Sequence, residues 1–153
     1  MLTQAITRTA APKRSRLLYA LQDRPDIVSI ELLLAGRKDL VLLRALDLEQ
    51  ALALAHGAPP DAILIDITLP GLGALDFMKR LRAEPGTETT PIIAVGGDTS
   101  PAAVAKALDA GFFLRLAKPL QAAPLLEALD YALEFNAVEQ AERPMTRRLK
   151  AAP

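Results

Sequence analysis

Two carboxylates, one ammonium group and a pair of glycines stand in this chain directly after apolar runs. Gln22-Asp23 follows Leu17-Leu18-Tyr19-Ala20-Leu21, and Asp66 follows Ala62-Ile63-Leu64-Ile65. Gly96-Gly97 follows Pro91-Ile92-Ile93-Ala94-Val95, and Lys118 comes shortly after Phe112-Phe113-Leu114-Arg115-Leu116. If these runs are strands of one parallel sheet, all four endings meet at one edge. Such a set suits a divalent cation and a phosphoryl group. Mg²⁺ takes hard oxygen ligands, usually one or two carboxylates together with phosphate oxygens. Lysine serves phosphate as a point charge, and exposed backbone N–H groups at Gly96-Gly97 can donate to its oxygens. Taken singly, an Asp at a strand end is often a turn or capping residue, and a Lys beside a Pro is often solvated. The joint placement is what points to chemistry.

The elements that must position these residues alternate strand with helix. Leu40-Val41-Leu42-Leu43 supplies the remaining strand. Helical patterns follow each run. One spans about 25–35, with Pro25 tolerated in its first turn. A second starts at the cap Asp47, carries the stripe Leu48, Ala51, Leu52 and Ala55 as far as His56, and stops at Gly57. A third, about 74–83, is expected to bury Leu75, Met78 and Leu81. A fourth runs from Ser100-Pro101 to Gly111, and a fifth spans about 122–135. Continuous apolar strands alternating with helices predict an α/β, doubly wound, five-stranded parallel sheet with helices on both faces. In such sheets sites form beyond the carboxyl ends of the strands, where strand order reverses. The folded unit is expected over 16–136, after a flexible basic segment, 1–15, and before a polar tail, 137–153, with a basic cluster at Arg147, Arg148 and Lys150.

Composition narrows the function further. Of the 153 residues 51% are hydrophobic but only 4% aromatic, so Leu, Ala, Ile and Val must fill the core. Acids and bases balance at 18 each, which gives no overall attraction to nucleic acid or anionic membrane, and neither partner is expected. No apolar run reaches the roughly 20 residues of a membrane span. Without Cys, disulfides and thiol catalysis are excluded. No nucleophile–base pair, nucleotide-binding glycine loop or His/Cys metal cluster argues for a metabolic enzyme. The single histidine, His56, reads as the end of a surface helix, with a phosphocarrier role as the alternative.

Ile63-Leu64-Ile65-Asp66-Ile67-Thr68-Leu69-Pro70-Gly71 resembles the phosphoacceptor strand and loop of response-regulator receiver domains in two-component signalling. Ala117-Lys118-Pro119 resembles the ending of their fifth strand. The separations agree as well: 43 positions from Asp23 to Asp66, 30 from Asp66 to Gly96 and 52 from Asp66 to Lys118. The resemblance implies a flavodoxin-like sheet in the order 2-1-3-4-5. It implies that Asp66 is the phosphoacceptor, and that Mg²⁺ is held by Asp23, the Asp66 carboxylate and the Thr68 backbone carbonyl. Lys118 would pair with Asp66 or with its phosphoryl group. The donor would be a histidine kinase or phosphotransfer protein, the location cytoplasmic, and the output carried by protein contacts without a DNA-binding domain. Homodimers or partners would use the face made by the fourth helix, fifth strand and fifth helix.

Several positions depart from the family. Receivers usually carry two adjacent acids after the first strand; here the pair is Gln22-Asp23, which predicts weak Mg²⁺ binding. A shifted register would put Leu21-Gln22 there and lose both acids, while Pro25 favours the first register. Gly73-Ala74 stands where an Asp-Gly pair is usual. The Ser/Thr expected after strand 4 is Gly96, which removes a hydroxyl bond to a charged group, an interaction contributing about 1.5–3 kcal/mol. The aromatic switch position is Arg115. Burying an unpaired guanidinium is strongly unfavourable, so Arg115 is expected to stay on the outer face. Two functions stay open: a phosphoaccepting receiver with a weakened switch, and a phosphorylation-independent pseudo-receiver acting as a protein-interaction module.

Overall fold

The computed structural model describes residues 14–98 and 100–142. Five strands, β1 (Ser15–Ala20), β2 (Leu40–Arg44), β3 (Ala62–Asp66), β4 (Ile92–Val95) and β5 (Leu114–Leu116), form one sheet in the order β2-β1-β3-β4-β5. Every pairing is parallel. The register sets Ala20 beside Ile65, Asp66 beside Val95 and Val95 beside Leu116. The ends of β1, β3, β4 and β5 therefore lie along one edge.

Strand alternation divides the core in two. Leu17, Tyr19, Leu64, Ile93 and Val95 face α1 (Arg24–Leu34) and α5 (Ala122–Ala141), which contribute Ile27, Ile30, Leu125 and Leu129. Leu18, Ala20, Ile63, Ile65, Ile92 and Ala94 face α2 (Leu48–Gly57) and α3 (Ala74–Arg82), which add Leu48, Ala51, Phe77 and Leu81. α4 (Pro101–Ala110) buries no residue fully; only Ala107 packs at the core margin.

Four details differ from the sequence pattern. In α3 the buried residues are Phe77, Met78 and Leu81, while Leu75 is 54% exposed. At roughly 100° per residue, a stripe through 74, 77, 78 and 81 leaves position 75 about 60° outside its edge at position 78. β5 is shorter than expected, because the Phe112 N–H returns to the Ala107 carbonyl to close α4 and is not free for the ladder. β1 begins at Ser15, whose N–H bonds to the Asp39 carbonyl at 2.8 Å. α5 runs on to Ala141, past the expected end near Phe135. Asn136 does not break it: the buried side chain donates through Nδ2 to Asp61 Oδ1 at 3.0 Å, although its own Oδ1 finds no hydrogen-bond partner among the described residues. The expected flexible residues 1–13 and the basic cluster Arg147, Arg148 and Lys150 lie outside the described residues.

The α3 phasing can be tested. Phe77→Ala should lower stability by about 3–5 kcal/mol, the range for an aromatic lost from a packed core. Leu75→Ala should change it by no more than about 0.5 kcal/mol. Urea unfolding of the two variants distinguishes this stripe from one centred on Leu75.

Candidate functional site

β3 carries Asp66 to the sheet edge, where its side chain is fully buried. Both carboxylate oxygens are engaged. Oδ1 accepts from the Thr68 backbone N–H at 2.9 Å and from Thr68 Oγ1 at 2.6 Å. Oδ2 accepts from Lys118 Nζ at 2.5 Å. A tight turn places Thr68, the Leu69 N–H bonding back to the Asp66 carbonyl. The sequence pointed only to the carbonyl of Thr68; the structure shows its N–H and hydroxyl as donors to Asp66.

Lys118 follows β5 at the cis Lys118–Pro119 peptide and reaches across the strand ends. Besides Asp66 it contacts Asp23 Oδ2 at 2.9 Å and Asp26 Oδ2 at 3.2 Å. One carboxylate oxygen from each of Asp23, Asp26 and Asp66 lies within 4.8 Å of the others. Asp23 stands at the N-cap of α1 but makes no capping bond with its side chain, so its carboxylate is available to the site. Leu21 belongs to the core, and Gln22 is exposed at the rim of a depression shared with Asp23, Arg24, Pro25, Asp26 and Lys118. Sequence reasoning missed Asp26. The available signal was its position three residues after Asp23, which on a helix puts two side chains on one side.

Gly96 and Gly97 turn the chain out of β4 with φ of 85° and 78°, values that L side chains rarely adopt. Gly96 is therefore more than a receiver hydroxyl position with the hydroxyl removed. A Cβ there would lie 3.2 Å from Lys118 Cε and 3.6 Å from Asp66 Oδ1, on a backbone strained for any β-branched residue. The Gly96 N–H is taken by the Leu116 carbonyl. Gly97 is exposed, and its N–H makes no backbone hydrogen bond among the described residues. Arg115 corrects an expectation. It folds inward over the glycine turn, donating from Nε and Nη2 to the Gly96 carbonyl at 3.1 and 2.8 Å, and from Nη1 to the Ala103 carbonyl at 3.4 Å. The charge is half-buried but not unpaired, because backbone carbonyls accept from it. The space is left by Gly97, whose Cβ would collide with Arg115 Nη2 and Ile67. His56 sits in the last turn of α2.

The family described as response regulator receiver domain matches residues 19–130. The chain belongs to this family. It is 33% identical over 124 residues to the sensory/regulatory protein RpfC of Xanthomonas campestris pv. campestris, a match covering 78% of this chain and 17% of that protein. It is 33% identical over 129 residues to the response regulator protein PilR of Pseudomonas aeruginosa, covering 83% of this chain and 28% of that protein. The receiver thus spans a minor part of either relative. Among solved structures, the chemotaxis response regulator CheY4 of Vibrio cholerae is 26% identical with a TM-score of 0.66, covering 79% of this chain and 100% of that one. The receiver domain of sensor histidine kinase PA1611 from Pseudomonas aeruginosa PAO1 is 26% identical with a TM-score of 0.69, covering 79% and 98%; that protein has a magnesium ion coordinated in its active site cleft.

In this receiver, burial pushes the Asp66 carboxyl pKa up, but the bonds from Lys118 and Thr68 outweigh it and hold the group below its ordinary value. Burial likewise favours a neutral Lys118, and its contacts with the carboxylates of Asp23, Asp66 and Asp26 outweigh that and raise its pKa. Both groups are ionised at neutral pH. The oxygen-only donor set and the buried Asp26 Oδ2, which lacks a hydrogen bond, fit a hard divalent cation.

Two outcomes follow from this geometry. A depressed carboxyl stabilises the fold above its unfolded value of about pH 4, and that contribution is lost as pH falls through the lower folded value. Urea unfolding of Asp66→Asn should therefore show a shallower loss of stability in acid than the native chain. Arg115→Ala should speed amide exchange across residues 97–111, where the guanidinium ties the glycine turn to α4. Arg115→Lys should not restore it, since an ammonium lacks the planar fork that meets one carbonyl twice.

Proposed function

We propose that this receiver accepts a phosphoryl group on Asp66 from the phosphohistidine of a histidine kinase or phosphotransfer protein, and that its output passes through protein contacts. The observation carrying this reading is the ionised Asp66 carboxylate held between Thr68 and Lys118 at the carboxyl edge of the sheet. In the transfer, an Asp66 oxygen forms its bond to phosphorus as the N–P bond of the donor breaks. The leaving imidazole keeps the electron pair and takes a proton. Thr68 orients the carboxylate, and Lys118 neutralises charge on the phosphoryl oxygens. The Lys118 side chain is 25% exposed, so it can swing from Asp66 Oδ2 to let the donor approach. We assign Mg²⁺ to Asp23, Asp66 and the Thr68 backbone carbonyl, where it would supply further charge neutralisation.

A second reading, the phosphorylation-independent interaction module, has its own support in the Gly96 turn and the inward Arg115. Neither offers a hydroxyl or an aromatic ring that changes place with phosphorylation. In both readings the face of α4, β5 and α5 is the proposed contact for a homodimer or partner. It exposes Leu108, Tyr131, Phe135 and Val138, the last three around an apolar groove with Phe113 and Leu114.

Intact mass after incubation with Mg²⁺ and acetyl phosphate should show one phosphoryl adduct that is labile in alkali and absent from Asp66→Asn. An adduct persisting in Asp66→Asn sinks the assignment. Failure to form one with acetyl phosphate and with a phosphohistidine protein selects the interaction module.

A further inference from the structure

The charge count around Lys118 does not close. Asp23, Asp26 and Asp66 bring three carboxylates to a single ammonium, and two negative charges remain uncompensated. Arg24 borders the same depression but makes no ion pair with the three. The imbalance matters because two of the acids are out of water. The Asp66 side chain is 0% and the Asp26 side chain 10% exposed, while Asp23 at 52% is well solvated. A buried carboxylate is strongly unfavourable unless paired and hydrogen-bonded. Asp26 meets only part of that requirement. Its Oδ2 has no hydrogen bond, and its one ionic contact, at 3.2 Å, is the longest of the three that Lys118 makes.

Helix electrostatics explain the position of Asp26 but not its burial. An acid in the first turn of a helix is favoured by the partial positive charge there, yet a solvated carboxylate gains the same. Burial with one oxygen lacking a hydrogen bond, and with a carboxylate oxygen within 4.8 Å of those of Asp23 and Asp66, is what a metal ligand looks like before metal binds. The residue that could have provided this charge from the end of β1 is Gln22, which is exposed and neutral.

We propose that Asp26, on the first turn of α1, is a ligand for the divalent cation of this pocket and supplies the carboxylate that Gln22 lacks. The proposal rests on reading the pocket as a receiver's cation and phosphoryl site. It moves one metal-binding acid from the loop after β1 to the helix that follows. Three carboxylates and Lys118 together then match the charge of one divalent ion.

Mn²⁺ binding to the full chain, read from loss of the free-ion electron paramagnetic resonance signal, tests this without phosphotransfer. Asp26→Asn should weaken binding at least about tenfold, the scale of losing a metal-site group. The double variant Gln22→Asp/Asp26→Asn should recover most of the loss. Affinity in Asp26→Asn within about twofold of native, while Asp66→Asn loses binding, overturns the proposal and leaves the pocket reading intact. No Mn²⁺ binding by the native chain overturns the proposal and the cation assignment together, while the mass measurement on Asp66 still stands. If Asp26→Asn does not fold, the native chain suffices: the Asp26 carboxyl ¹³C resonance should shift on Mg²⁺ addition alongside that of Asp66. An unmoved Asp26 resonance beside a shifted Asp66 overturns the proposal.

Discussion

One ammonium group, Lys118 Nζ, joins the parts of this receiver that matter for its chemistry. It meets a carboxylate from the end of β3 and two from the start of α1, and it is itself delivered by the segment after β5. Three chain segments far apart in sequence are thereby fixed around one point. Removing one partner of such a buried contact typically costs about 3–5 kcal/mol, because the other charge is left unpaired. The sheet register, which aligns the ends of β1, β3, β4 and β5, exists independently of Lys118. The convergence of carboxylates at that edge is tolerable only with a cation among them.

The fold was legible because its signals are long and redundant. Five apolar runs with helical patterns between them specify a doubly wound sheet, and the strand-end rule then selects Asp23, Asp66 and Lys118. What was illegible lies one step further from the strands. Asp26 sits in a helix rather than directly after a run, and only the packing of α1 turns it into the pocket. Arg115 was misjudged because its partners are backbone carbonyls, which no residue letter announces. Leu75 was placed inside by counting back three from Met78, where the observed stripe passes instead through Phe77. The last helix was expected to stop near Phe135 because Asn136 is polar and its partner, Asp61, is 75 positions away.

The departures from the family concentrate on one side of Asp66. On the side of α1, one of the two usual acids, Asp23, is kept, and a second carboxylate comes from Asp26. On the side of β4, the hydroxyl position and the aromatic position are both replaced, by a left-handed glycine turn and a guanidinium that grips it. These two changes fit each other: the inward guanidinium needs the space that a side chain at position 97 would fill. The two positions are in direct contact, the guanidinium donating twice to the Gly96 carbonyl.

α4 is the element on which this pair acts. It hangs between the Gly96-Gly97 turn and Gly111, which also takes a positive φ, and it sends no residue fully into the core. Segments with so few buried contacts open at a free energy well below that of global unfolding. So lightly packed a helix would have more than one orientation open to it while the sheet stays intact. A partner that grips only one of them binds with an apparent affinity scaled by the fraction of time that orientation is held. A change of charge at Asp66 could alter that fraction, and so the affinity, without making or breaking any contact with the partner.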